Sequence, residues 1–168
     1  YVLTLQEGDS VEHVTKRWRI RIVAFLYAPI YRFPRIVQTI STYLSGFARD
    51  RGYTGPLLVV PNAVDTQYFS RTFSENELHL LRERLRKKEG EKFVITTSRL
   101  VAKNGVDIVI RSLKHLPPSV KFLVLGIGPD EALLKKLAVD LGLSDRVLFL
   151  GHIDRSEMPK YLKISDVF

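Results

Sequence analysis

The chain has 168 residues, 45% of them hydrophobic, no cysteine and a formal charge of +8. The missing cysteine excludes disulfides and thiolate metal sites, which suits a cytoplasmic protein. The apolar content is enough for one full core or parts of two, and the basic excess favours an anionic partner: nucleic acid, anionic lipid or a phosphorylated ligand. That excess is local, because residues 130–168 are close to neutral while Lys16, Arg17, Arg19 and Arg21 crowd into one stretch.

In chain order, residues 1–5 (YVLTL) read as a strand ending in the polar break Gln6-Glu7-Gly8-Asp9-Ser10. No basic flank or initiator Met accompanies this short apolar run, so it is no signal peptide and the chain is expected to begin inside a folded unit. The pattern from Val11 to about Tyr31 predicts a helix, apolar from Ile22 to Ala28 and ended or kinked at Pro29. Its apolar part is well short of the roughly 20 residues that a membrane span needs. A strand over Arg35–Thr39 follows, and Ser41 can N-cap a helix to about Arg51.

After turn residues Gly52–Pro56, the continuous apolar run Leu57–Val60 suits a strand buried on both faces of a parallel sheet. Pro61–Asp65 breaks the chain and residues 66–73 read as a connection. Ser74 caps a charged helix to about Glu89, with Glu83 and Lys87 spaced for a helical ion pair. From there the alternation is regular: strand Lys92–Thr97, helix Gly105–Leu116, strand Val120–Leu125, turn Gly126–Pro129, helix 130–141 stopped at Gly142, strand Val147–Leu150, helix Ser156 to about Lys163, and a strand starting at Asp166. Repeated β-α units of this kind predict an α/β fold with Rossmann-like parallel sheets and helices on both faces.

Ligands of such sheets bind at the C-terminal ends of the strands. The loop Thr97–Gly105 carries two cations, Arg99 and Lys103, ahead of a helix. A planar fork and a point charge, with the helix N-terminus adding its own positive field, could hold a diphosphate; two solvated side chains on a loop is the plainer alternative. Gly126-Ile127-Gly128-Pro129 lets backbone approach a phosphate or sugar, or serves only a tight turn. As a dinucleotide fingerprint it is weak, since no acidic residue ends the next strand to bind a ribose. His13, His79, His115 and His152 have no metal-ligand spacing, and neither a G-x-S-x-G elbow nor a complete P-loop is present.

Together these loops resemble glycosyltransferase family 4, whose members share the two-domain GT-B fold. The resemblance rests on Pro61-Asn62-Ala63-Val64-Asp65 followed by Phe69, on Ser98-Arg99-Leu100 through Lys103-Asn104-Gly105, on Leu125-Gly126-Ile127-Gly128-Pro129, and on Arg146–Gly151 followed by Tyr161 and Asp166-Val167-Phe168. It implies a retaining transfer of sugar from a nucleoside-diphosphate sugar, with no bound metal or cofactor because the nucleotide sugar is a substrate. It also implies that Arg99 and Lys103 hold the donor diphosphate and stabilise the leaving group. Gly126, Gly128, Asn104 and Ile153 would line the donor pocket, with backbone near His152 and Ile153 meeting the base, and Gln6 falls where many relatives have a His near the acceptor. Residues 1–69 would then be the C-terminal part of an acceptor-side domain. Residues 70–168 would be a donor domain that stops ahead of the family's paired glutamates, an incomplete and inactive fragment on its own.

The resemblance also implies a sugar or lipid-linked acceptor, as in the making of cell-envelope polysaccharide. Residues 14–35 combine six basic side chains with Trp18, Phe25, Tyr27, Tyr31 and Phe33, a pattern suited either to an anionic membrane surface, hence a cytoplasmic protein peripheral at the inner membrane face, or to an ordinary packed helix. A non-catalytic nucleotide- or phosphosugar-binding module is the alternative function. No nucleic acid partner is expected, because no RNA or DNA motif accompanies the charge.

Overall fold

A computed structural model describes residues 1–6 and 29–168. The basic run at Lys16–Arg21, Trp18 and nearly all of the helix predicted from Val11 lie outside these, as do residues 14–28 of the predicted membrane-facing segment. Residues 29–32 are helical. The chain divides into two compact units, Tyr1–Val64 and Asp65–Phe168.

In the first unit, β1 (Val2–Leu5), β2 (Ile36–Thr39) and β3 (Leu57–Val59) form a parallel sheet in that order. Val37 and Thr39 are fully buried, as the two-residue period of a strand requires, and Val37 packs with Ala48 of α1 (Thr42–Asp50) and with Tyr53. Burying a threonine costs free energy unless its hydroxyl is bonded. Here Thr39 Oγ1 donates to the Ser41 carbonyl at 3.0 Å and lies 2.8 Å from Ser45 Oγ. Ser41 is the predicted N-cap, accepting from Leu44 N at 3.3 Å. Ala63, where a positive φ would have meant strain, has none; among the described residues Arg86 is the one non-glycine with positive φ.

The second unit opens with α2 (Thr66–Ser70) and α3 (Glu75–Arg84) and carries β4 (Lys92–Thr97), α4 (Val106–Ser112), β5 (Val120–Leu125), α5 (Glu131–Asp140), β6 (Val147–Gly151) and α6 (Met158–Ile164). The sheet runs β4-β5-β6, all parallel, and Val167 adds a parallel bridge to Val94 on the outer side of β4. β5 is central, and its alternation assigns it to two cores. Phe122 and Val124 pack with Ile110 of α4 and Leu134 and Ala138 of α5, whereas Leu123 and Leu125 pack with Leu81 of α3 and Tyr161 and Ile164 of α6. Helices therefore cover both faces, the doubly wound arrangement that the sequence predicts.

Three predicted elements change. The connection 66–73 contains α2, because the Asp65 carboxylate accepts from Tyr68 N at 2.9 Å and caps a single turn. That segment belongs to the second unit, so the division falls ahead of the predicted 69/70 boundary. Helix α3, started by the capping box of Ser74 and Glu77, ends at Arg84 rather than Glu89. Lys87 thus lies beyond the helix, and in place of the predicted Glu83 pair it bonds the Asp166 carboxylate at 3.2 Å and the Ile164 carbonyl at 2.9 Å. Finally, the helix predicted to Leu116 closes as a 3-10 turn over Leu113–His115.

Candidate functional site

Three loops leave the C-terminal edge of the second sheet: residues 98–105 after β4, 126–130 after β5 and 152–157 after β6. The first two are joined backbone to backbone. Ser98 N donates to Leu125 O at 3.1 Å, Leu100 N to Ile127 O at 3.1 Å, and Asp130 N returns to Leu100 O at 3.2 Å. The parallel ladder thus continues past the strand ends and fixes the base of each loop.

This join accounts for both glycines. Gly126 has φ +140°, and a Cβ there would lie 2.0 Å from Ser98 O; a Cβ on Gly128 would lie 2.2 Å from Leu100 O. The closely approaching group is the β4 loop itself, a requirement that neither the ligand reading nor the tight-turn reading of this motif contains. Gly126 N also donates to Gly151 O at 2.7 Å, and Gly151 has φ +69°, so the β6 loop is tied into the same edge.

On this frame the β4 loop is fixed in backbone and exposed in side chain. Leu100 is fully buried, and the Arg99 carbonyl accepts from Asn104 Nδ2 at 2.6 Å and from Val101 N at 3.0 Å. Ala102–Asn104 form a 3-10 turn that ends on Gly105 at φ +65°. The Arg99 and Lys103 side chains are exposed on the loop so held. Asn104, predicted to line the donor pocket, spends its amide group on the loop. Ile153 is half-buried against the core that contains Tyr161, with His152 and Asp154 exposed on either side.

Arg99, Lys103, Asn104, Gly126, Gly128 and Ile153 are therefore carried by neighbouring loops on one sheet edge. Gln6 belongs to the first unit, exposed just beyond β1. A groove of about 530 Å³ between α4 and α5 shares Val101, Ala102 and Asp130 with these loops. Its walls are Ile108, Leu133 and Leu137 with two ion pairs, Asp107 with Arg111 at 4.0 Å and Asp140 with Lys136 at 2.6 Å. Each cation of this lining already faces a carboxylate, which disfavours a diphosphate. Among the described residues no three His, Asp or Glu side chains are grouped to hold a metal ion, and no helix is long and apolar enough to cross a membrane.

Two contributors have no signal in the sequence. Tyr68 Oη donates to the Arg155 carbonyl at 3.0 Å and Arg71 donates to the Ser156 carbonyl, so α2 and the residue that follows it grip the β6 loop. The partners lie more than eighty residues apart in the chain, and no local pattern marks them.

A family model for glycosyl transferases group 1 matches residues 79–168. The chain is 32% identical over 140 residues to a GDP-mannose-dependent alpha-(1-6)-phosphatidylinositol monomannoside mannosyltransferase of Mycolicibacterium smegmatis, covering 79% of this chain and 35% of that protein. It is 31% identical over 114 residues to alpha-monoglucosyldiacylglycerol synthase of Streptococcus pneumoniae, covering 66% of this chain and 26% of that one. The chain thus spans about a quarter to a third of the length of these curated relatives. Among solved structures, Anabaena HepE in complex with UDP and glucose aligns with a TM-score of 0.79 at 24% identity over 98% of this chain and 44% of its own. WaaG, a glycosyltransferase involved in lipopolysaccharide biosynthesis, aligns with a TM-score of 0.77 at 18% identity, again over 98% of this chain and 48% of its own. These likenesses show the Rossmann-like GT-B fold, and with the family match they establish that this chain belongs to the group 1 glycosyl transferases.

Proposed function

We propose that the chain forms part of a retaining glycosyltransferase that moves a sugar from a nucleoside-diphosphate sugar to an acceptor, with residues 65–168 supplying the donor side. The observation that carries this reading is the β4 loop: its backbone is locked to the glycine turn after β5, and its two cations are presented at the sheet edge where Rossmann-like folds bind phosphates. In this reading Arg99 and Lys103 hold the donor diphosphate. Negative charge grows on that group as the glycosidic bond breaks, so cations already in place favour the transition state over the ground state. Gly126 and Gly128 let the two loops close on each other, Asn104 acts by holding the Arg99 backbone, and the loop at Ile153 meets the base.

The names of these two relatives, a phosphatidylinositol monomannoside mannosyltransferase and a monoglucosyldiacylglycerol synthase, favour a lipid-linked acceptor. A protein peripheral at the inner membrane face fits such a substrate, with Gln6 of the first unit on the acceptor side. Membrane attachment through residues 14–35 predicts stronger co-sedimentation with anionic than with neutral vesicles; equal binding to both would remove that part of the reading.

The donor site is tested by calorimetry on the complete protein with UDP and GDP. Arg99→Ala and Lys103→Ala are each expected to weaken the preferred nucleotide about tenfold or more, since a hydrogen bond to a charged group contributes about 1.5–3 kcal/mol. Unchanged affinity in both variants would overturn the assignment.

A further inference from the structure

We infer that Tyr68 and Arg71 are positioning residues for the donor nucleotide, acting through the loop after β6; the inference rests on the donor-site reading above. Residues 154–157 are exposed, so little core packing fixes them. Within the loop Asp154 O accepts from Glu157 N at 3.0 Å and from Met158 N at 3.1 Å, which closes its end onto α6. The carbonyls of Arg155 and Ser156 between them are bonded from outside the loop, by Tyr68 Oη and by the Arg71 guanidinium.

The grip is built as a stack of alternating cations and rings. The Arg155 guanidinium lies 5.5 Å from the Tyr68 ring centre, Arg71 lies 4.5 Å from Tyr68 and 5.0 Å from Phe73, and Lys160 of α6 lies 5.8 Å from Phe73. Arg71 Nε is buried with no hydrogen-bond partner among the described residues. An unpaired buried N–H is costly, so arginine at this position is held by its ring contacts and its carbonyl bond rather than by full hydrogen bonding. Lysine can place a cation near one ring or donate to the carbonyl, but it lacks the planar face that stacks between two rings and so restores these contacts only in part.

The strap holds the loop from the side of α2, while Gly126 N holds its start through Gly151 O. In the donor-site reading this loop meets the base, whereas Arg99 and Lys103 meet the diphosphate. Loosening the strap should therefore be felt by ligands that have a base and not by inorganic pyrophosphate.

The experiment compares Tyr68→Phe, Arg71→Lys, Arg71→Leu and Arg99→Ala in the complete protein, with UDP, GDP and inorganic pyrophosphate as competitors of the donor. Arg71→Leu and Arg71→Lys are expected to raise the inhibition constant of the preferred nucleotide about five- to tenfold, and Tyr68→Phe about two- to fivefold. Pyrophosphate inhibition should stay unchanged in all three, while Arg99→Ala weakens nucleotide and pyrophosphate together. A strap that serves only stability would lower the thermal midpoint and leave the nucleotide constants of the folded protein as they were, which would overturn the inference. So would equal losses for nucleotide and pyrophosphate in the strap variants. Unchanged inhibition in Arg99→Ala would instead show that the donor-site reading had failed. If Arg71→Leu does not fold, Tyr68→Phe, which keeps the ring and removes only the hydroxyl, decides the matter.

Discussion

The two edges of the second sheet use the same residue types in opposite ways. At the N-terminal edge the cations are matched. Lys121 pairs with Glu91 at 2.8 Å, both side chains at most 15% exposed. Lys92 and Lys87 bond the Asp166 carboxylate at 2.9 and 3.2 Å, and Arg146 donates to the carbonyls of Pro117 at 2.8 Å, Val120 at 3.0 Å and Leu116 at 3.3 Å. At the C-terminal edge the β4 and β5 loops are joined backbone to backbone, made possible by Gly126 and Gly128, while Tyr68 and Arg71 bond the β6 loop, and the side chains of Arg99 and Lys103 are exposed. Charge closes one edge. At the other, glycine lets the backbones of the two loops that carry Arg99, Lys103 and the glycine turn join directly.

The largest effect should come from the glycines. Gly126→Ala combines a strained φ with a Cβ 2.0 Å from Ser98 O, and Gly128→Ala places a Cβ 2.2 Å from Leu100 O. Each is expected to cost roughly 3–5 kcal/mol, because the obstacle is backbone rather than a flexible side chain. Urea unfolding measures this; an alanine variant as stable as the original would show that the glycines serve something other than the join. At the opposite edge, Lys121→Met strands the Glu91 carboxylate, whose burial raises its pKa against the stronger lowering by Lys121 and Lys88. A loss of about 2 kcal/mol is expected, largely recovered when Glu91 is also replaced by an apolar residue of similar size.

Asp166 gives the comparison a pH dependence. Burial pushes its carboxyl up, but the Phe93 N–H and the Lys92 and Lys87 ammonium groups outweigh this and bring it from 3.8 down to about 2. The folded state thus takes up the proton less readily than the unfolded chain. The resulting stability is present in full above pH 3.8 and is lost as pH falls through about 2. After allowance for partial exposure it should amount to about 1–2 kcal/mol. Asp166→Asn should remove that part of the acid sensitivity; an unaltered difference between the two proteins at pH 5 and pH 2.5 would count against this role of Asp166.

The strands of the second sheet were legible because each combines an apolar run with punctuation. Burial was not, since the run predicted to be buried on both faces, Leu57–Val60, lies at the edge of the first sheet with Leu58, Val59 and Val60 exposed, whereas the central β5 is the strand buried on both faces. The end of α3 was not. Residues 85–89 carry helix-compatible charges, but Lys87 is taken by Asp166, a partner seventy-nine residues on, and Arg86 turns the chain with φ +52°. α2 escaped for the opposite reason, since five residues are too few to show a period and only the Asp65 cap specifies them. At the site, the positions of Arg99 and Lys103 followed from strand–loop order alone. The need for Gly126 and Gly128 did not, because it arises from a second loop that approaches only in the folded chain.

The smallest effect on stability is the most informative. Arg99→Ala removes an exposed side chain whose backbone is fixed independently by Asn104 Nδ2 and by the buried Leu100. Unfolding free energy should therefore change by less than about 0.5 kcal/mol, as for other surface sites, while nucleoside-diphosphate affinity falls. Asn104→Ala inverts the emphasis: it leaves the cation but frees the loop, so some affinity is lost together with some order. If Arg99→Ala lowered stability as much as Lys121→Met, arginine would be closing this edge by charge just as lysine closes the other, and the division between the two edges would not hold.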